Sequence, residues 1–391
     1  MSTHNGTNTG TMERILRLMA EKKASDVYMS AGSPVQIKIN GVTQPINGQV
    51  LPADAPRALL AEVLSDEHME ELARTGELNM AHALPGVGRF RISGMRQRGT
   101  VAVVIRYIQT EVPKLDTLGV PEILKEMILA KRGLVLMVGS TGAGKSTTLA
   151  AMLDHRNENM TGHILTVEDP MEYLFRNKKS IVNQREVGTD TASLHVALKN
   201  ALRQAPDVIM IGEIRDRETM SASIAYAQSG HLCLATLHAN NSYQALNRIL
   251  SFYPVEVRPT MLGDLAAALR AIVSQRLLRT HTGGRVPAME VMLNTALIAD
   301  LIQKADFSGV REAMEKSLAE GSQSFEQDLA RLVTDGLVSR NEALAHADSP
   351  NNLLWRLQND FNAVKSNESA KPNEEDQSDH ATFTEFTLDV K

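Results

Sequence analysis

Residues 139–146 read Gly-Ser-Thr-Gly-Ala-Gly-Lys-Ser, directly after the apolar run Leu134 to Val138 and directly before a helix-forming stretch, Lys145 to His155. This is the full G-x-x-x-x-G-K-[ST] pattern in the context that gives it meaning, a buried strand entering a loop that opens a helix. The glycines Gly139, Gly142 and Gly144 let backbone N–H groups, with those of Ser140, Thr141 and Ala143, close around phosphate oxygens, and the helix aims its positive end at them. Lys145 is expected to reach the β- and γ-phosphates. Ser146 is expected to ligate Mg²⁺, with Thr147 beside it. ATP and Mg²⁺ are thus the expected ligands, and the strand–loop–helix unit commits the chain to an α/β fold.

The residues that follow keep that rhythm. Strands are predicted at 164–167, 208–211 and 232–236, and helices at 191–204, capped by Asp190, and at 218–228, ended by Gly230. Such alternation predicts a mainly parallel sheet with helices on both faces. In a parallel sheet, ligands sit beyond the carboxyl ends of the strands. The three strands end at Glu168-Asp169, at Gly212-Glu213 and at Leu237-His238. Glu168, Glu213 and His238 should therefore share one edge with Lys145, where a carboxylate can orient or deprotonate an attacking water or hold Mg²⁺ through water. Because Gly212 stands where an acid would commonly end the strand 208–211, Glu213 is expected to reach the metal only through water. Residues 255–357 read as mostly helical.

Upstream, residues 1–11 read as a polar, flexible leader and 12–108 as a smaller α+β domain with an antiparallel sheet. This domain includes a helix from Met12, a strand at 35–39 with the turn Asn40-Gly41, a helical stretch 52–75, and strands at 88–93 and 100–108. Residues 109–120, with Pro113 and Gly119, read as a hinge or linker, and 121–365 as the phosphate-binding domain with a helical end. Residues 366–391 carry seven acids against two lysines and read as a disordered acidic tail. Its last segment, 386–390, alternates like a strand, so either a frayed end or a peptide that adds to a partner's sheet fits it.

The net charge of −5 gives no global pull toward nucleic acid or anionic lipid, and no apolar run is long enough to span a bilayer. The single cysteine, Cys233, excludes a disulfide framework and a multi-cysteine zinc site, and its apolar neighbours predict a core position. A cytoplasmic protein that reaches a membrane through a partner fits these limits.

Taken together, the loop 139–147, Ile-Leu-Thr-Val-Glu-Asp-Pro-Met-Glu-Tyr at 164–173, Leu-Arg-Gln-Ala-Pro-Asp-Val-Ile-Met-Ile-Gly-Glu-Ile-Arg-Asp at 202–216 and Ala-Thr-Leu-His-Ala-Asn at 235–240 resemble the Walker A, Asp box, Walker B and His box of the secretion-superfamily ATPases. The segment 24–32 and the Gly88-Arg89-Phe90-Arg91 strand resemble the retraction branch of the type IV pilus motors, the PilT/PilU family. The resemblance covers roughly residues 12–345. It implies a RecA-like core behind a PAS-like N-terminal domain, assembled as a homohexamer. It makes Glu168 the catalytic base, Glu213 the Walker B acid and His238 a γ-phosphate sensor. It also implies two partners, a PilT-like paralogue and the polytopic platform protein at the inner-membrane base of the pilus. The extension branch of the superfamily usually carries a four-cysteine zinc module, which one cysteine excludes. Members of the PilT type carry Ala-Ile-Arg-Asn-Leu-Ile-Arg-Glu near their C-terminal helices. Here Ala296 to Lys304 keeps the apolar spacing without the arginines, and with the acidic tail resembles the accessory side of the family.

The arginines divide between two readings. Arg89, Arg91 and Arg106 can reach nucleotide when two domains close over it, since a guanidinium stabilises a transferring phosphoryl group. They equally fit a solvated basic sheet face. ATP hydrolysis that powers or assists retraction is the leading expectation, with a non-catalytic or weakly catalytic regulatory ring subunit and a nucleic-acid translocase as alternatives.

Overall fold

The computed structural model describes residues 10–39, 41–108, 111–316 and 319–368. The first sheet is wholly antiparallel and is built from β1 (Asp26–Met29), β2 (Pro34–Ile39), β3 (Val42–Val50), β4 (Glu77–Leu84), β5 (Gly88–Gln97) and β6 (Thr100–Ile108), in the order β3-β2-β1-β6-β5-β4. Gly41, at φ 84°, turns β2 into β3, and Ile39 pairs with Val42. The helix Thr11–Glu21 buries Met12, Ile15, Leu16 and Met19 against Phe90, Ile92 and Ile105 of the sheet. It starts within the range expected to be a leader; residues 1–9 lie outside the described residues, as does 369–391, including the expected terminal strand. The helix Pro350–Glu368 runs into the first residues assigned to the tail.

The stretch 52–75 is two helices, Ala55–Ala61 and Asp66–Thr75, rather than one. Ser65 breaks it, because its hydroxyl accepts the His68 N–H and so starts a new helix, and Gly76 in the left-handed region ends it.

The second sheet has seven strands. These are β7 (Gly133–Val138), β8 (Gly162–Glu168), β9 (Ser180–Glu186), β10 (Val208–Ile211), β11 (Leu232–Leu237), β12 (Leu269–Arg279) and β13 (Arg285–Leu293), in the order β13-β12-β7-β11-β10-β8-β9. Every neighbouring pair is parallel except β12 with β13. The central strands are buried on both faces, with side chains alternating between two cores. Leu134, Leu136 and Val138 of β7 join one core, and Val135 and Met137 join the other. Cys233 lies fully buried in the first core, and burial pushes its thiol up to about 12, so it is an inert core group. Among the described residues, no helix is long and apolar enough to cross a membrane.

Two expectations are corrected here. Residues 269–293 form a long hairpin, not helix. Leu-Arg-Ala-Ile-Val-Ser-Gln is buried almost throughout, and periodicity does not separate a fully buried strand from a buried helix. The helix expected at 191–204 is Leu194–Ala201 followed by a 3₁₀ turn, Leu202–Gln204. Its cap is Ser193, whose hydroxyl accepts the Val196 N–H, while Asp190 instead accepts the N–H of Glu186.

The connection between the sheets is partly anchored. Leu115 is buried in the core of the second sheet beside Leu124 and Ile128, and Lys114 pairs with Glu158. Lys114 and Lys178 together hold the Glu158 carboxyl down at about 2. From Lys114 onward the segment is thus tied to the second sheet.

Candidate active site

The first site element is the loop 139–144. Gly139 has φ 153°, and a Cβ there would sit 2.6 Å from the carbonyl oxygen of Gln275 on β12. Gly144, at φ 87°, caps the helix Lys145–Asn159, and a Cβ would meet the Gln275 amide at 2.7 Å. Both positions demand glycine, because the loop lies directly on β12. Gln275 also accepts the Thr148 hydroxyl at 2.8 Å, which fixes the first turn of the helix to the same strand. The Thr147 hydroxyl lies 3.0 Å from that of Tyr173.

Lys145 is buried and folds back on its own loop, donating to the carbonyls of Gly139 at 2.8 Å and Ser140 at 2.9 Å. Burial lowers its pKa and the nearby Glu213 charge opposes that shift. A cation held against two carbonyls, with a carboxylate in its field, has the chemistry to exchange those partners for the oxygens of an anion.

Glu168 ends β8 and is 7% exposed. Burial raises its pKa to about 6, against the opposing hydrogen bonds from Thr166 and Gln184. The Thr166 hydroxyl donates to Oε1 at 2.7 Å and the Gln184 amide to the same oxygen at 3.2 Å. A carboxylate with its pKa raised this far is still ionised near neutrality and is a better proton acceptor than a solvated one.

Glu213 follows β10. Its Oε1 lies 3.2 Å from His238 Nε2, and its Oε2 accepts Arg215 Nε at 2.8 Å. Arg215 also reaches Asp169 at 3.4 Å. Gly212 lets these strand ends meet, since a Cβ there would lie 3.2 Å from the Glu168 Cα. Its N–H bonds to the Val167 carbonyl at 2.8 Å, and its own carbonyl accepts the Thr236 hydroxyl.

These groups surround one cleft of about 330 Å³, lined among others by Gly142, Lys145, Ser146, Glu168, Glu213 and His238. The three N-terminal arginines are placed elsewhere. Arg106 Nε bonds to Asp26 at 3.0 Å within the first sheet. Arg89 spans the two sheets, with one amino group 3.6 Å from Glu186 and the other 3.9 Å from the sulfur of Met171. Arg91, on the same face of β5, acts on Glu186 electrostatically. Sequence reasoning also missed Gln184, Glu186 and Gln275. The first two lie on a strand with no clear apolar alternation, and the third sits where helix was expected.

The available oxygen donors suit a hard cation. Ser146 offers a hydroxyl in the cleft, and Glu213, already shared by Arg215 and His238, suits an outer position better than direct ligation.

Comparison with known proteins agrees with this geometry. The family model described as Type II/IV secretion system protein matches residues 6–323. The chain is 49% identical over 342 residues to the type IV pilus ATPase PilU of Pseudomonas aeruginosa, covering 87% of this chain and 90% of the relative. It is 37% identical over 339 residues to the retraction ATPase PilT of the same organism, covering 87% and 98%. Among solved structures, the pilus retraction motor PilT with bound ADP superposes with a TM-score of 0.81 at 38% identity, covering 87% of this chain and 98% of that one. The Legionella pneumophila ATPase DotB superposes at 0.74 with 26% identity, covering 85% and 93%. The fold is therefore a RecA-like ATPase core behind a smaller α+β domain, and the chain is an ATPase that belongs to the type II/IV secretion system protein family, in its PilT/PilU branch.

Proposed function

We propose that this protein hydrolyses ATP within a ring of its own copies to power or assist the retraction of type IV pili. The observation that carries the catalytic part is Glu168, a buried carboxylate with its pKa raised to about 6, at the same sheet edge as the phosphate loop. Glu168 takes the proton of the attacking water. Lys145 leaves the carbonyls of Gly139 and Ser140 for the β- and γ-phosphates. His238, held against Glu213, meets the terminal phosphate, and a change in its contacts reports hydrolysis to the loop that follows β11. When bound, Mg²⁺ would neutralise phosphate charge, and Ser146 and Glu213 are the residues that would hold it.

The partners in this reading are a PilT-like paralogue and the platform protein at the inner-membrane base of the pilus, with the ring on the cytoplasmic side. The domains in this reading are 12–108 and 121–365, moving about the 109–120 connection. Phosphate release by the purified protein tests the enzyme: Lys145→Ala must abolish it, and equal release by wild type and variant overturns the reading. Pilus retraction in cells lacking this protein, the paralogue, or both tests the cellular role.

A regulatory ring subunit with weak turnover is the second reading, favoured by the helix Ala296–Gln303, which buries Ile298 and Ile302 but carries no arginine. Robust turnover by the isolated protein excludes it.

A further inference from the structure

The edge strand β9 touches both the general base and the N-terminal sheet. Gln184 and Glu186 lie two residues apart and so share a face. Gln184 donates to Glu168 at 3.2 Å and to the carbonyl of Tyr173 at 2.8 Å. Glu186 sits opposite Glu168 in the parallel register, and the next N–H, that of Val187, bonds to the Glu168 carbonyl at 2.9 Å.

Glu186 is 5% exposed, and the backbone N–H of Met171, in the loop that follows Glu168, favours its ionised form. One of its oxygens, Oε2, is buried with no hydrogen-bond partner and faces Arg89 Nη2 at 3.6 Å. A buried carboxylate oxygen without a hydrogen bond is costly, and 3.6 Å is too long for one. Less than one ångström of further approach by the N-terminal sheet would supply it. Arg91 adds positive charge from the same face of β5. A weak contact poised to strengthen on a small rigid-body movement gives a hinge-closing device two distinct states.

We propose that β9 couples the position of the N-terminal sheet to the general base: Arg89 draws on Glu186, and Gln184, on the same strand face, sets the position of the Glu168 carboxylate. Arg89, Glu186 and Gln184 are then positioning residues, acting on turnover through Glu168 rather than by touching ATP. The proposal rests on the reading of Glu168 as the base.

Steady-state hydrolysis of ATP by the full chain tests it, with Lys145→Ala as the control for the enzyme itself. If that control turns over like wild type, the ATPase reading falls and not only the coupling. Gln184→Leu is expected to lower kcat on the order of 10-fold, with KM within about 2-fold of wild type. Gln184→Met, which keeps the length and removes the amide, must reproduce it. Glu186→Gln and Arg89→Met should each lower kcat about 3- to 10-fold without raising KM. In a Gln184→Leu background neither should lower it further. Unchanged kcat in both Gln184 variants overturns the coupling. Independent, multiplying effects also overturn it. A raised KM in Arg89→Met that Glu186→Gln does not share assigns Arg89 to the nucleotide instead.

Discussion

The Thr166 hydroxyl donates a 2.7 Å hydrogen bond to Glu168 Oε1 from two residues away on the same strand face. It stabilises the ionised carboxylate and so works against burial, which holds the Glu168 pKa at about 6. Turnover should therefore fall as pH drops through about 6, where the base becomes protonated. Thr166→Val keeps the shape of a fully buried side chain and removes the donor. Its acid limb should move to higher pH, by roughly half a unit to one unit for the loss of one hydrogen bond to a charged group. A profile of kcat against pH for both proteins checks this, and an unmoved limb counts against Glu168 as the titrating base.

The same carboxylate carries a stability cost. A pKa raised in the folded state means that folding favours the protonated form. The penalty is thus absent below the unfolded value of 4.5 and reaches its full size above about 6. The shift of about 1.5 units corresponds to about 2 kcal/mol. Glu168→Gln should accordingly raise Tm by several degrees at pH 7.5 while lowering kcat by about 10²- to 10⁴-fold, the usual contribution of a general base. At pH 4.5 the gain in Tm should vanish. A variant that hydrolyses ATP normally would remove Glu168 from the mechanism.

His238 and Glu213 form a pair at 3.2 Å, and Arg215 fixes the far oxygen of Glu213 at 2.8 Å. His238→Ala frees one oxygen of Glu213 but leaves the phosphate loop and Lys145 intact. ATP should still bind with near wild-type affinity while kcat drops about 10- to 100-fold. Calorimetric titration with ATP, set beside turnover, separates the two effects. Equal losses in both would make His238 a binding residue.

The parts of the fold set by short-range rules were legible in the sequence. The loop 139–146 demanded glycine for close backbone approach. The strands that lead to Glu168, Gly212 and Leu237 were short, mostly apolar runs, and parallel topology forced their ends to one edge. The parts that depend on distant partners were not. β12 reads as a helix until β13 is known to pair with it. Arg106 reads as a phosphate ligand until Asp26 is found opposite it in the register. Gln184 and Glu186 carry no local pattern, because their neighbours are Glu168, 16 residues away, and Arg89, in another sheet.

Arg276 shows how the C-terminal helices are fastened to this machinery. It lies on β12 next to Gln275, and alternation sends the two side chains to opposite faces. Gln275 meets the phosphate-loop helix through Thr148. Arg276 donates to the carbonyl of Asn240 at 3.1 Å, to the carbonyl of His346 and to the carboxylate of Asp348, and it stacks 3.8 Å above the Phe325 ring. Asp348 in turn accepts the Asn241 amide at 2.7 Å. The loop two residues past His238 is thereby tied to the helices beyond residue 325. A planar fork satisfies three acceptors while stacked, and an ammonium cannot. Arg276→Lys should cost about 2 kcal/mol and Arg276→Ala about 3 to 5, because the second also strips the Phe325 face and leaves Asp348 with Asn241 alone. Urea unfolding measures the loss. Hydrogen exchange should locate it, with protection falling in residues 340–358 and 239–245 while β8 and β10 keep theirs. If Arg276→Lys matches wild type in both, the stacked fork is not what joins the two regions.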